Sequence, residues 1–268
     1  MNETRDPQDA RPTRADVDDI ADASLGVDTR IFRTLWDTLA FTPRVVEAAY
    51  RGDRETYVPI IRLFLVLFGL QFAIIALLDL PVGLNLEAME TNEPSRQAVI
   101  LWVEEAGATR EAVDETLTNA SSLSVAVISF LSTLPFLLML KLYKWKRSIF
   151  GHALAYLAAT NAAYIVILPL MLLGAIGPLQ TFFWSAFTLS MITYYVATAR
   201  ILYRFYSQNV FVVALQTLGL LVMLPITFLI MGIALLFIAD WALQAAHDMS
   251  IWRLMMLTGH SGTEGPAS

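Results

Sequence analysis

The residues of this chain that could do chemistry are few and unevenly placed. Between Glu115 and Asp240 there is no aspartate or glutamate, and the one histidine of that stretch is His152. General acid–base catalysis, carboxylate dyads and two-metal centres all need ionisable partners held close together. A serine nucleophile needs a base that a further group orients, and neither a G-x-S-x-G elbow nor a phosphate-binding glycine loop occurs. With no cysteine in 268 residues, disulfides, thiolate ligands and a cysteine nucleophile are excluded. Near the C-terminus Asp240, His247 and Asp248 fall on nearly one helical face, with His260 beyond them. Metal sites use these residue types, but at this loose spacing in a polar tail they read as solvated surface. No catalytic residue, cofactor or metal is expected.

What the middle of the chain does carry is positive charge without a local counter-ion. Arg62, Lys141, Lys144, Lys146, Arg147, His152, Arg200 and Arg204 stand at the ends of apolar stretches and are expected to converge at one rim of a helical bundle. Their counter-ions must come from anionic lipid headgroups, from the acids of the N-terminal tail and the Glu47 to Glu55 segment, or from a phosphate-bearing ligand. Snorkelling of basic side chains at the cytoplasmic face accounts for such a pattern by itself. A convergent set could also hold an anionic headgroup, each cation contributing about 1 kcal/mol. The candidate lipid site is Arg62, Lys141, Lys144, Arg147, His152, Arg200 and Arg204, with Arg200 and Arg204, one helical turn apart, at its core.

These residues are positioned by a chain that is 56% apolar and only 16% charged, with a mean hydropathy of +0.57. A soluble domain carries roughly 25% charged residues, so the composition predicts a membrane protein. A net charge of −6 argues against nucleic acid, which needs a basic face. Five stretches are long and apolar enough to cross about 20 helical residues of hydrocarbon, at about 57–79, 122–142, 149–173, 179–199 and 209–239. The expected fold is an all-α polytopic bundle of about five spans, forming a membrane domain over 57–240. The fifth stretch is too long for one straight crossing. It must kink at Pro225, project beyond the bilayer toward Trp241, or turn back.

Uncharged polar residues lie within the spans, among them Gln71, Thr160, Asn161, Gln180, Gln216 and Thr217. Interhelical hydrogen bonding is the expected role, since such residues commonly glue membrane helices together. Asn161 lies near the centre of its span. The same span carries Gly151, Ala155, Ala159 and Ala163 at four-residue spacing, a small-residue ridge that lets backbones approach closely. This third span is therefore expected to be the most tightly packed.

Outside the spans, residues 1–28 hold eight acids against three arginines and few large apolar residues, which predicts a disordered acidic tail. Residues 29–56 should form two interfacial helices. The first is amphipathic, with Ile31, Phe32, Leu35, Trp36 and Leu39 opposite Arg30, Arg33 and Asp37. The second opens with Thr42 as N-cap and Pro43 in its first turn and ends near Gly52. The connection at 80–121 is acidic and holds one expected helix from Ser95 to Leu117, with Val99, Val103, Val113 and Leu117 on one stripe. Residues 241–268 predict an amphipathic helix on the outer leaflet, built on Trp241, Leu243, Ile251, Trp252, Leu254 and Met255, and a polar end. Lys and Arg divide fifteen to three between alternate connections, counting Arg62 with the N-terminal segment. That bias predicts a bacterial inner-membrane protein with its N-terminus cytoplasmic and its C-terminus periplasmic.

The run Gly52, Arg54, Tyr57, Pro59 and Arg62 resembles a family of uncharacterised bacterial polytopic membrane proteins. The likeness continues through Pro135 to Tyr143, the basic turn ahead of His152, and Tyr194 to Tyr203, and covers about residues 30–240. Members often carry an N-terminal zinc ribbon, which this cysteine-free chain lacks, and further histidines after the one that resembles His152, where this chain has residues such as Ala158 and Thr160. The resemblance implies a multi-span topology and no particular activity. The expected function is that of a non-enzymatic accessory, scaffold or assembly subunit, partnered by membrane lipids and other membrane-protein subunits. The alternative is a transporter or flippase-like carrier for an apolar or lipid substrate; an enzyme acting on lipid headgroups at His152 has less in its favour.

Overall fold

The computed structural model describes residues 29–78, 84–90, 92–174 and 179–261; the acidic tail over 1–28 and the last seven residues lie outside them. Among the described residues every regular element is an α-helix: α1 (Thr29–Ala40), α2 (Thr42–Arg51), α3 (Ile60–Leu77), α4 (Leu86–Met89), α5 (Glu93–Glu105), α6 (Arg110–Leu131), α7 (Thr133–Tyr143), α8 (Ile149–Gly174), α9 (Leu179–Phe205), α10 (Val210–His247) and α11 (Ile251–Ser261). The chain is thus an all-α, polytopic membrane protein. It divides into two compact units, one of residues up to Leu70 with Phe150–Val213, the other of Gln71–Ile149 with Ala214–Ser268.

In the first unit α1 and α2 meet at Phe41, the residue that caps α2. Thr42 was the expected cap, but it lies inside the helix and donates its hydroxyl back to the Thr38 carbonyl at 2.7 Å. Pro43 sits in the first turn as its fixed φ favours. Gly52 ends α2 in the left-handed region at φ 72°, its N–H reaching the Ala48 and Ala49 carbonyls. Asp53 then accepts the N–H groups of Glu55 and Thr56 at 3.0 and 2.9 Å, which turns the chain toward α3.

The core of this unit is Val45 and Val46 of α2, Ile60 of α3, Leu154, Ala155, Ala158, Ala159, Ala162 and Ala163 of α8, and Tyr194, Ala197 and Ile201 of α9. Alanine after alanine on α8 leaves no side chain to hold neighbours apart, so backbone packing replaces interdigitation. Ala155, Ala159 and Ala163 of the small ridge are buried within this core, and Gly151 is buried with them.

Among the described residues four helical stretches are long and apolar enough to cross a membrane: Ile60–Leu77, Arg110–Tyr143, Ile149–Leu173 and Val210–His247. The 27-residue α9, expected as the fourth of five spans, is not among them, because its threonines, serines and tyrosines dilute its apolarity. Geometry nevertheless runs it alongside α8. His152 at the start of α8 touches Tyr206 just past the end of α9, and Tyr156 packs edge-on against Tyr194. These two helices of 26 and 27 residues are therefore antiparallel neighbours with one pair of ends level.

The second unit joins two segments that looked separate in the sequence. The single helix expected over Ser95–Leu117 is two helices, broken at Gly107, whose φ of 63° suits a residue without Cβ. Asn92 caps α5 by accepting from the Ser95 N–H at 2.9 Å. Val99, Val103, Val113 and Leu117 are all buried, together with Leu86, Trp102, Ala239, Leu243, Met249, Ile251 and Leu254. The Trp102 indole donates to the Ser250 carbonyl at 3.1 Å, and Arg253 pairs with Glu105 at 2.9 Å. Leu243, Ile251 and Leu254 therefore face a protein core rather than an outer leaflet. Trp241 and Met255 are exposed.

This cap explains the long last span. α10 runs without interruption through Pro225 for 38 residues, about 57 Å at 1.5 Å per residue, against about 30 Å of hydrocarbon. The excess is used up in the cap, where Ala239 and Leu243 are fully buried. Residues Trp241 to His247, assigned from sequence to a separate terminal helix, are its last turns.

Candidate functional site

The first unit concentrates its polar contacts where α8 begins and α9 ends. His152 is fully buried, one turn into α8, with Nδ1 2.5 Å from the Tyr206 hydroxyl and the rings 5.6 Å apart. The preceding Gly151 offers its carbonyl to the Tyr50 hydroxyl at 2.6 Å, and Tyr50 stands edge-on to Phe205 at 5.5 Å. Tyrosines from α2 and from the end of α9 therefore clamp the first turn of α8.

Arg200 and Arg204, the expected core of an anion site, both engage the protein. Arg200 donates from Nη1 to the carbonyls of Leu39 and Ala40, each at 3.1 Å. These are terminal carbonyls of α1, which have no partner within their own helix and sit at the negative end of its dipole. Arg204 pairs with Glu47 at 3.5 Å, and Glu47 also receives Arg51. Of the three counter-ion sources, the Glu47 to Glu55 segment supplies this one. The pair is half exposed, so it contributes less than about 1 kcal/mol. Arg62 is exposed at the start of α3.

Lys141, Lys144, Lys146 and Arg147 belong to the second unit. There Lys141 closes its own turn by donating to the Arg147 carbonyl at 2.6 Å, with its ammonium 5.3 Å from the Trp145 ring. The eight basic groups thus fall into a set of four in each unit.

Deeper in the first unit, Asn161 is buried and donates its amide to the Ile60 carbonyl at 3.1 Å, tying α8 to α3. Its Oδ1 has no hydrogen-bond partner among the described residues, and neither, in the second unit, do the buried side-chain oxygens of Gln71 and Gln216. Thr160 bonds back to the Tyr156 carbonyl at 3.0 Å. The Gln180 side chain lies outside the described residues.

On the other side of the clamp, Tyr57 donates to the Asp37 carboxylate at 2.6 Å and the Val58 N–H donates to the Thr34 hydroxyl at 2.9 Å. Burial, followed by the hydrogen bond to Asp37, pushes the Tyr57 phenol up to about 12. In the cap, Asp240 accepts from the Ser250 hydroxyl at 2.8 Å, the Ile251 N–H at 2.9 Å and the Gln244 amide at 2.6 Å, while His247 Nε2 meets the Thr116 hydroxyl at 2.9 Å. Asp240 thereby starts α11, and His247 ties the end of α10 to α6. Arg110 beside Glu90 holds that carboxyl below the usual range.

The tyrosine contacts leave no signal in the sequence. Their partners are 20, 54 and 101 positions away, beyond the reach of any local pattern. Chemically the cluster is a hydrogen-bonded clamp in which the Tyr206 phenol meets the histidine. Comparison with protein-family models, curated proteins and solved structures finds no match.

Proposed function

We propose that this integral membrane protein is an accessory or scaffold subunit, working through helix packing in the membrane and through the helices that lie outside its spans. The observation that supports it is the uneven use of its apolar surface. Only 6% of the most apolar window of α10 is buried by the chain's own residues, against 39% for α8. A helix so little covered leaves Leu218, Val222, Leu229 and Ile233 open to lipid or to helices of another chain. The cytoplasmic N-terminus and periplasmic C-terminus of an inner-membrane protein remain the preferred orientation, supported by the fifteen-to-three division of basic residues.

The test is photo-crosslinking from native membranes, with the reactive side chain placed at Leu218, at Leu229 and, as a buried control, at Ala159. A discrete protein adduct from the α10 positions and none from Ala159 is the expected result. Adducts with lipid alone would refute the subunit reading and favour the carrier.

A further inference from the structure

α1 is oriented against the ordinary logic of a capping helix. Thr34 and Thr38, its polar side, are fully buried against the protein, while Phe32 and Trp36, one turn apart, are 64% and 66% exposed. Ile31 extends the same open face, and Phe41, also exposed, continues it past the helix end with the Arg44 guanidinium 4.2 Å above its ring. Apolar side chains that fold away from their own protein need another cover.

We propose that this face of α1 is a membrane anchor that inserts Phe32 and Trp36 into the headgroup boundary of an anionic bilayer. Three features point to lipid as the occupant. The helix is fixed at the height of the membrane boundary, since Thr34 holds the Val58 N–H two residues before α3 begins at Ile60, and Arg200 near the end of α9 holds its last carbonyls. Tryptophan and phenylalanine beside arginines make up the usual inserting face of an interfacial helix. Charge is complementary too: Arg44 flanks the face at Phe41, while the one acid of α1, Asp37, is engaged by Tyr57. The inserted helix is then bonded through Thr34 and Asp37 to the residues that lead into the first span. The inference goes beyond the subunit proposal and stands whether or not that proposal holds.

The absence of native cysteine allows single spin labels on an unaltered background. Phe32→Cys, Trp36→Cys and, as an aqueous control on α2, Arg51→Cys are labelled in the full-length protein and reconstituted in phosphatidylcholine vesicles with and without phosphatidylglycerol. With phosphatidylglycerol present, labels at 32 and 36 should be several-fold less accessible to a water-soluble nickel chelate than the label at 51, and open to oxygen. The contrast should shrink in phosphatidylcholine alone. Nickel accessibility equal to that at 51 overturns the proposal, as does insertion indifferent to anionic lipid. Exclusion of both reagents, the signature of a protein cover, overturns it as well. Both labelled residues are exposed, so retained thermal unfolding of the labelled proteins separates misfolding from a true negative.

Discussion

Replacing Ala159 with leucine tests whether α8 is held by close backbone approach. Ala159 is 1% exposed in a core shared with Ile60, Tyr194, Ala197 and Ile201, so three added carbons have nowhere to go without moving a helix. Overpacking of this kind costs about 1–3 kcal/mol, roughly a 5- to 150-fold loss in the folded-to-unfolded ratio and a drop in Tm of about 2–12 °C. The companion substitution Leu157→Ala removes three carbons from a half-buried side chain on the same helix. Lipid can replace much of what is lost there, because tails are as apolar as leucine, and the expected cost is below about 1 kcal/mol. Thermal unfolding of both variants in one detergent gives the comparison. Equal or reversed effects would mean that the alanine ridge faces lipid and that the packing argument is wrong.

Tyr57→Phe should remove an alkaline transition: because the Tyr57 phenol is raised from 10.0 to about 12, its contribution is complete below pH 10 and is lost as pH rises through about 12. Stability measured from pH 8 to 12 should therefore fall in wild type and stay flatter in the variant. Gly219→Ala should destabilise by about 1–3 kcal/mol, since the new Cβ would run into the Tyr143 hydroxyl that donates to the Gln216 carbonyl at 2.9 Å. Adding Tyr143→Phe removes the obstructing oxygen, and failure of the double variant to recover stability would show that the clash is not the cause. Reporter fusions after Glu90 and after Ser268 should report the same compartment, because α5 and α11 share one core, and fusions after Ser148 and Ser207 should report the opposite one. The double substitution Arg200→Gln, Arg204→Gln should leave phosphatidylglycerol retention in native mass spectrometry unchanged while increasing protease cleavage around α1, since both arginines have protein partners; lost lipid would support an anionic-lipid site at the rim.

Composition and periodicity determined most of the architecture. Runs of about 20 apolar residues impose helices in hydrocarbon, where every backbone group must be bonded within its own segment, and so α3, α8 and α10 begin within three residues of where the sequence puts them. The stripe Val99, Val103, Val113, Leu117 was legible because a buried face repeats with the helical period even across the break at Gly107. The ridge of α8 was legible for the same reason, its alanines recurring every fourth residue.

What the sequence did not determine is which faces meet. A stripe says that a side must be covered and is silent about the cover, so the helices of the 80–121 connection and the C-terminal helix read as two separate surface elements until the indole of Trp102 is seen on the Ser250 carbonyl. Likewise Arg200 and Arg204 read as cations awaiting an anion, because a backbone carbonyl 160 positions away leaves no trace in local charge patterning. α1 shows the limit most plainly: its amphipathicity is in the sequence, but only the threonines buried at Thr34 and Thr38 show that the polar side packs inward and the aromatic side is left open. Periodicity fixes the contrast between two faces of a helix, and tertiary contacts decide which face is inside.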